Sequence, residues 1–384
     1  MKFIKLCINI ESMNNVSVLI KPSSSLCNIN CKYCFYIDEA KNRKIENNGI
    51  MTEKVMKAII DKVLQNADKN ALFSFQGGEP TVAGFEYFKS FIDYVNISNK
   101  KNININYSIQ TNGLLIDDKW CQLFKENNFL VGLSFDIIKD IHDNYRVDKS
   151  NNDTYNRVLE TKKLFDAFNV EYNILTVLTS ELSKYPKDIY KKIKKLNIKY
   201  TQFIPCLSKM NSPSTEYSIK PKEFSNFYKE IFSLWKEDFF NNNYYSIQFF
   251  DNIIPLFFGG YPPMTCGING KCTNQIIIES NGDVFPCDFY CLDDYKIGNI
   301  AEDDLMQIYS SSKAKYFINE KSNRINDDKH TLCRSCKYQR VCSSGCKRME
   351  NNMYIDESGE FCGFKDFLDY AINDMAIVWK MISR

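Results

Sequence analysis

The sequence predicts an α/β protein in which a partial (β/α)6 barrel of the TIM type is followed by a cysteine-rich extension. Three observations lead to this fold class. Apolar, strand-like runs alternate with helix-like patterns from Val16 to about Cys206. Three closely spaced cysteines follow the first of these runs. After Met264 the sequence changes to glycine, cysteine and very short apolar runs, which is typical of a small, separately organised unit.

Six strands and the helices between them account for the barrel. The predicted strands are 16–20, 71–75, 103–110, 130–135, 172–178 and 200–205. Helical patterns occupy 52–67, 84–96, 117–127, 154–168 and 187–196, and a further helix covers 222–239. Strands separated by helices of this length form βαβ units and a parallel sheet. We therefore expect the active site at the carboxyl ends of the strands.

The second half of the chain predicts a smaller domain. Two short strands, 275–279 and 284–285, are joined by a turn at 280–283 that contains Asn281 and Gly282. The length of 384 residues exceeds what one core usually holds. The predicted division is an N-terminal extension at 1–16, the barrel at 17–245 and the cysteine-rich domain at 246–384.

Composition excludes several classes of protein. The 49 Lys and Arg residues nearly balance the 47 Asp and Glu residues, so a general nucleic-acid binder is not expected. No signal-peptide pattern and no run of membrane-spanning length is visible, which predicts a cytoplasmic protein without a membrane partner. Because cytoplasmic thiols stay reduced, the 15 cysteines indicate metal ligation and not disulfides. His142 and His330 are too few for a histidine-based metal site.

The first cysteine group is a triplet with the spacing Cys-x3-Cys-x2-Cys. Cys27, Cys31 and Cys34 follow the first predicted strand directly. Three thiolates can hold three corners of a four-iron cluster, for which four cysteines are the usual complement. One iron is then open to a further ligand, as in a catalytic zinc site with an open position. Spacing alone leaves a zinc knuckle as the alternative.

The triplet and the motifs that follow it resemble the radical S-adenosylmethionine (SAM) superfamily. Tyr33 precedes the last cysteine, Gln76-Gly77-Gly78-Glu79-Pro80 ends the second strand, and Ser134-Phe135-Asp136 ends the fourth. The resemblance implies that SAM chelates the open iron. It further implies that Tyr33, Gly77, Gly78, Glu79, Ser134 and Asp136 form the cofactor site, with Glu79 at the methionine amine, Ser134 at the carboxylate and Asp136 at the ribose.

The sequence departs from the superfamily pattern at two places. Relatives usually continue Asp136 with Gly-Pro, whereas Ile137 and Ile138 follow here. An Arg that binds the SAM carboxylate is replaced by a Glu in our alignment, and either Arg157 or Arg146 is the substitute.

Eight further cysteines are enough for two complete four-iron clusters. They resemble the SPASM extension of radical SAM peptide-modifying enzymes. That resemblance implies a nearer auxiliary cluster on Cys266, Cys272, Cys287 and Cys346, and a farther one on Cys333, Cys336, Cys342 and Cys362. The assignment of Cys346 does not follow from spacing, and two zinc sites are the alternative. The four remaining cysteines are interpreted as small buried hydrophobes: Cys7, Cys121, Cys206 and Cys291.

Flanking motifs are similar to those of anaerobic sulfatase-maturating enzymes, among them Lys21-Pro22-Ser23 and Pro286-Cys287-Asp288. The resemblance implies three [4Fe-4S] clusters, SAM, a sulfatase polypeptide as substrate and a low-potential donor such as flavodoxin or ferredoxin. The implied reaction oxidises a Cys or Ser of the sulfatase to Cα-formylglycine, with Asp288 as the base and with Tyr36 and Gln76 at the peptide. The alternative is a maturase that forms thioether or carbon–carbon crosslinks in a ribosomal peptide.

Overall fold

The computed structural model describes residues 14–383 except 213 and 321–330. Cys7, His330 and most of the predicted N-terminal extension therefore lie outside the described residues. The strands are β1 (Asn15–Ile20), β2 (Ile29–Cys31), β3 (Asn70–Phe75), β4 (Asn104–Thr111), β5 (Leu130–Ser134), β6 (Arg146–Asp148), β7 (Glu171–Leu178), β8 (Tyr200–Pro205), β9 (Ser246–Ile247), β10 (Ile277–Ile278), β11 (Asp283–Phe285) and β12 (Gly298–Asn299).

Helices of very different lengths connect these strands. They are α1 (Phe35–Lys41), α2 (Glu53–Asn66), α3 (Phe85–Ser98), α4 (Asp118–Glu126), α5 (Lys139–Tyr145), α6 (Tyr155–Phe168), α7 (Pro186–Lys195), α8 (Pro221–Phe240), α9 (Gln248–Phe258), α10 (Leu305–Tyr309), α11 (Ser312–Glu320), α12 (Thr331–Arg334), α13 (Gln339–Cys342), α14 (Glu350–Met353) and α15 (Gly363–Ile382). None of the helices in the described part of the chain is long and apolar enough to cross a membrane.

The six predicted strands form one parallel array, which confirms the predicted fold class. Strands β1, β3, β4, β5, β7 and β8 are neighbours in that order, and each adjacent pair is parallel. Their carboxyl ends consequently lie at one edge of the sheet. A separate two-stranded sheet pairs β2 with β6 and brings Cys31 opposite Arg146.

The two faces of the sheet differ in polarity because side chains alternate along each strand. On the helix side, Phe73 and Phe75 of β3 pack against Phe91 of α3 with ring centroids 5.2 and 5.0 Å apart. On the other side, polar residues such as Gln76, Gln110 and Gln202 line a cavity of about 310 Å³ inside the curved sheet. The apolar face holds the core, and the polar face is left for binding.

The sheet continues past the predicted boundary at 245. Strand β9 pairs in parallel with β8, and β10 pairs in parallel with β1 on the other side. Strands β10 and β11 form an antiparallel hairpin whose turn includes Gly282 at φ +91°. The cysteine-rich part is thus hydrogen-bonded directly to the first barrel strand, and the predicted domain limits stay a prediction.

The last helix attaches the extension to the barrel. Helix α15 packs along α8, and the ion pairs Lys229–Asp366 and Lys236–Asp374 join them at 2.7 and 2.6 Å. At the start of α15, a Cβ on Gly363 would lie 2.2 Å from the carbonyl oxygen of Pro221. Only the absence of a side chain at residue 363 permits this approach.

Replacing Gly363 by Ala should loosen the contact between α8 and α15. Overpacking of this kind costs about 1–3 kcal/mol, so we expect a lower midpoint of thermal unfolding, measured by circular dichroism under anaerobic conditions. Lys380→Ala, on the exposed face of the same helix, is the control and should leave the midpoint unchanged. Equal midpoints for Gly363→Ala and the wild type would show that this approach does not constrain the fold.

Candidate active site

The cysteine triplet lies in the loop after β1, at the carboxyl edge of the sheet. The thiols of Cys27, Cys31 and Cys34 influence one another electrostatically, which places them close together. Burial raises the pKa of Cys27 to about 11 and that of Cys31 to about 12. A free thiolate is therefore unfavourable in this loop, and a bound metal would supply the compensating positive charge. Three clustered sulfurs, with no fourth cysteine named beside them among residues 14–383, fit a cluster with one open iron.

Glu79 fastens the ends of two strands to each other. One carboxylate oxygen, Oε1, accepts hydrogen bonds from the Thr81 backbone N–H (3.1 Å), the Thr81 hydroxyl (2.6 Å) and the Thr111 hydroxyl (2.7 Å). The other, Oε2, accepts one from the Asn112 backbone N–H at 2.7 Å. Burial raises the pKa of Glu79, and these donors oppose the shift. The carboxylate predicted to meet the SAM amine is thus already a structural acceptor, with further capacity at Oε2.

Gly77 and Gly78 precede Glu79, and neighbouring atoms of the chain leave no room for a side chain at either position. A Cβ on Gly78 would lie 2.2 Å from the carbonyl oxygen of Leu26, in the cysteine loop. A Cβ on Gly77 would lie 2.6 Å from Cγ of Lys21. Both glycines also have positive φ, +93° and +52° for Gly77 and Gly78 respectively. The double glycine therefore allows the loop and the Lys21 side chain to pass against the end of β3.

Tyr33 and Asp136 contact each other at the opposite side of the loop. The Tyr33 hydroxyl donates to Asp136 Oδ2 at 2.5 Å, and Oδ1 accepts from the Val177 N–H at 2.9 Å. Arg146 donates to the Tyr33 hydroxyl at 3.2 Å, while its buried Nε has no hydrogen-bond partner among the described residues. Ser134, at the end of β5, is partly exposed.

The two candidate arginines differ in their surroundings. Arg146 is 5% exposed and faces Cys31 across the β2–β6 ladder. The side chain of Arg157 is 49% exposed and pairs with Asp148 at 3.3 Å. Of these two arginines, Arg146 is the one that lies beside the cysteine triplet and has a buried N–H group, at Nε, without a partner among the described residues.

The second group of cysteines lies in two places, and its division between two clusters stays a prediction. The thiol of Cys287 lies within electrostatic reach of Cys266 and Cys346, and a Cβ on Gly267 would lie 2.8 Å from Cβ of Cys346. A second small cavity is lined by Cys333, Cys336, Cys342 and Cys362. Cys346 thus lies close to Cys266 and Cys287, although Cys336 and Cys342 are nearer to it in sequence.

Asp288 stands where the extension meets the barrel cavity. Its Oδ2 accepts hydrogen bonds from the Tyr36 hydroxyl at 2.7 Å and from Gln76 Nε2 at 3.0 Å. Asp288 and Gln76 both line the cavity inside the curved sheet, as does Cys266. Burial raises the pKa of Tyr36 well above its usual value, so its hydroxyl stays a donor. The two residues predicted at the peptide thus also orient the predicted base.

Sequence reasoning missed the buried charges behind Asp288. The Lys21 ammonium lies 3.3 Å from Asp288 Oδ1 and 2.9 Å from Glu39 Oε2. Cys291 is a hydrogen-bond acceptor of Lys21 at 3.1 Å and not merely a small buried hydrophobe. The only sequence signal was the position of Lys21 in the motif beside Pro22. Its partners are distant in sequence, up to 270 residues away at Cys291, so no local pattern reveals them.

Family models match two parts of the chain. The model for the radical SAM superfamily matches residues 22–193, and the SPASM model, an iron–sulfur cluster-binding domain, matches residues 266–337. A cysteine-type anaerobic sulfatase-maturating enzyme from Clostridium novyi is 40% identical over 97% of this chain and 99% of its own length. The chain belongs to the anaerobic sulfatase-maturating enzyme family.

Two further members of the family extend the comparison. A serine-type enzyme from Bacteroides thetaiotaomicron is 28% identical, over 86% of this chain and 82% of its own. The solved structure of native anSMEcpe with bound AdoMet and Cp18Cys peptide has a TM-score of 0.86 and 38% identity, and covers 96% of this chain and 99% of that one. The family matches establish iron–sulfur clusters and SAM as cofactors.

Glu79→Gln should disturb the edge of the sheet. An amide in place of the carboxylate turns an N–H group toward either the Thr81 or the Asn112 backbone N–H, and a lost hydrogen bond to a charged group costs about 1.5–3 kcal/mol. We expect faster hydrogen exchange at the Asn112 amide, measured by mass spectrometry. Thr111→Ser, which keeps a hydroxyl donor, should retain the wild-type exchange rate. Unchanged exchange in Glu79→Gln would mean that the carboxylate does not hold this edge.

Proposed function

We propose that this protein oxidises a cysteine of a sulfatase polypeptide to Cα-formylglycine in a radical SAM reaction. The full-length similarity to cysteine-type sulfatase-maturating enzymes carries this proposal. The lower similarity to the serine-type enzyme favours cysteine over serine as the target residue. The cavity beside Asp288 is lined by neutral polar side chains such as Gln110 and Gln202 together with apolar ones such as Leu175, and it is suited to an extended peptide segment.

Three [4Fe-4S] clusters and SAM complete the proposed active enzyme. Cys27, Cys31 and Cys34 hold the cluster with the open iron. Cys266, Cys272, Cys287 and Cys346 hold the nearer auxiliary cluster, and Cys333, Cys336, Cys342 and Cys362 hold the farther one. When bound, SAM and the clusters supply a 5′-deoxyadenosyl radical that removes a hydrogen atom from the target Cβ, and a sink for the second electron.

The chain's own residues bind SAM at the carboxyl edge. We assign Arg146 to the SAM carboxylate, together with Ser134, because its buried Nε has no hydrogen-bond partner in the described part of the chain. Gly77, Gly78 and Glu79 border the methionine amine. Oε2 of Glu79 can accept a further hydrogen bond from that amine. Tyr33 and Asp136 form the wall toward the ribose, in mutual contact at 2.5 Å.

Asp288 is the proposed base. It accepts the proton of the target thiol, and a base within hydrogen-bond reach of the proton that it removes satisfies the geometric requirement. Tyr36 and Gln76 keep Oδ2 directed to the cavity that would receive the peptide. Water then replaces sulfur at the oxidised carbon and sulfide leaves. A low-potential carrier such as flavodoxin or ferredoxin provides the first electron, and no nucleic acid or membrane takes part.

Iron content tests the assignment of the cluster ligands. Each Cys→Ala variant at Cys266, Cys346 or Cys333 should lose about one third of the iron bound by the wild type, since one of three clusters is lost. The double variant at Cys266 and Cys346 should lose no more than either single variant. The double variant at Cys346 and Cys333 should lose about two thirds. The reverse pattern would place Cys346 with the farther cluster, and zinc in place of iron and sulfide would reject both auxiliary clusters.

A peptide assay tests the function itself. Under anaerobic conditions with SAM and a strong reductant, a Cys-x-Pro-x-Arg peptide should lose the mass that corresponds to formylglycine. Asp288→Asn should still cleave SAM but form at least about a hundredfold less product, because general bases contribute 10²–10⁴-fold.

Asp294→Asn, an exposed carboxylate of the same loop, is the matched control and should keep wild-type activity. Absence of turnover with the wild type would favour the crosslinking maturase. Full activity of Asp288→Asn would remove Asp288 from the reaction.

A further inference from the structure

A buried cluster of charged side chains lies directly behind the proposed base. We propose that Lys21 is the positioning residue that holds Asp288 in its reactive orientation. This inference rests on the proposed function. The Lys21 ammonium contacts carboxylates and Cys291, and none of these partners is a predicted cluster ligand.

The two oxygens of Asp288 have different surroundings. Oδ2 is bonded to Tyr36 and Gln76, and Gln76 lines the cavity. Oδ1 is buried and receives no hydrogen bond from the described residues, but the Lys21 ammonium lies 3.3 Å away. Lys21 therefore attracts the rear oxygen through its charge, which leaves the other oxygen toward the substrate.

Several elements in turn hold the Lys21 ammonium. Glu39 of α1 lies 2.9 Å from it, and Glu279, after β10, lies 3.7 Å from it. Arg43 joins these two glutamates at 2.7 and 2.9 Å. The Cys291 backbone N–H donates to the other oxygen of Glu39 at 2.7 Å. The carboxylates on which Lys21 depends are thus themselves fixed by a cation and a backbone group.

The path of the Lys21 side chain is also restricted. Its stem crosses the Cα of Gly77 so closely that a Cβ there would lie 2.6 Å from Cγ. The side chain is 1% exposed, so rotation into solvent is excluded. The position of the ammonium therefore follows from β1, α1, the Gly77 turn and the extension together.

The charge balance of the cluster explains why Lys21 matters for orientation. Lys21 and Arg43 carry two positive charges, against three negative charges on Glu39, Glu279 and Asp288. Burial by itself lowers the pKa of Lys21, but Cys291 and the three carboxylates together raise it well above its usual value, so the side chain stays charged. Without Lys21, the one positive charge of Arg43 would remain against the three carboxylates, and like charges would repel Asp288.

The test removes Lys21 while it keeps the buried charge constant. Lys21→Met combined with Glu39→Gln removes one positive and one negative charge. Glu39→Gln alone is the matched control, since it retains the Lys21–Asp288 pair. The measurements are kcat and KM for the peptide, and formylglycine formed per 5′-deoxyadenosine, with thermal unfolding and iron content as checks of the fold.

We expect the double variant to keep its peptide KM and its SAM cleavage but to lose about a hundredfold in formylglycine formation, the size of effect known for a misplacement of about 1 Å. Formylglycine per 5′-deoxyadenosine should then fall. Glu39→Gln alone should lose far less than the double variant, because Lys21 keeps Glu279 and Asp288 as partners. A purely structural role would instead lower stability and SAM cleavage together.

A wild-type ratio of products in the folded double variant would overturn the role of Lys21. If the Met variant does not fold, Lys21→Gln in the same background keeps a polar head among the carboxylates and should show the same loss. Failure of the wild type to form formylglycine would reject the proposed function, and the role of Lys21 with it. If Asp288→Asn loses formylglycine formation and neither Lys21 variant does, the positioning role of Lys21 is rejected while the role of Asp288 as the base stands.

Discussion

The parallel register of six strands is the constraint on which the site depends. Because β1, β3, β4, β5, β7 and β8 all run in one direction, their last residues meet at one edge. Lys21, Gln76, Asn112 and Asp136 each follow or end such a strand. Residues far apart in sequence are thereby brought within hydrogen-bond distance without long loops. A single antiparallel strand in the array would move its motif to the opposite edge.

Buried carboxylates then connect the strand ends to one another. Glu79 joins the ends of β3 and β4 through donors on Thr111 and Asn112. Glu39 and Glu279 connect α1 to the segment after β10 through Arg43. A buried carboxylate is costly unless it is paired, so each of these groups requires its partners in place. The edge is consequently preorganised by charge as much as by apolar packing.

The extension belongs to the site because it shares the sheet. Pairing of β10 with β1 brings the hairpin β10–β11 next to the first barrel strand. Asp288 follows this hairpin and lines the barrel cavity together with Cys266. Helix α15 begins directly after Cys362 and packs against α8. The two halves of the chain therefore form one chemical unit despite their different composition.

The sequence by itself determined the parts of the structure that depend on local pattern. Periodic apolar runs located the six strands and the long helices to within two residues in most cases, since alternation and helical spacing are properties of neighbouring residues. The cysteine triplet and the double glycine were equally visible. The two-residue strands β9 and β12 were missed because a pair of residues carries no period.

Only the tertiary structure decided which distant residues share a site. It brought Cys346 beside Cys266 and Cys287, and it chose Arg146 over Arg157 as the neighbour of the triplet. It also showed that Lys21, known from the sequence only as part of a motif, and Cys291, interpreted as a buried hydrophobe, are hydrogen-bond partners at 3.1 Å. Spacing along a chain cannot express such contacts, because the distance between two side chains after folding depends on strand order and packing and not on their separation in sequence.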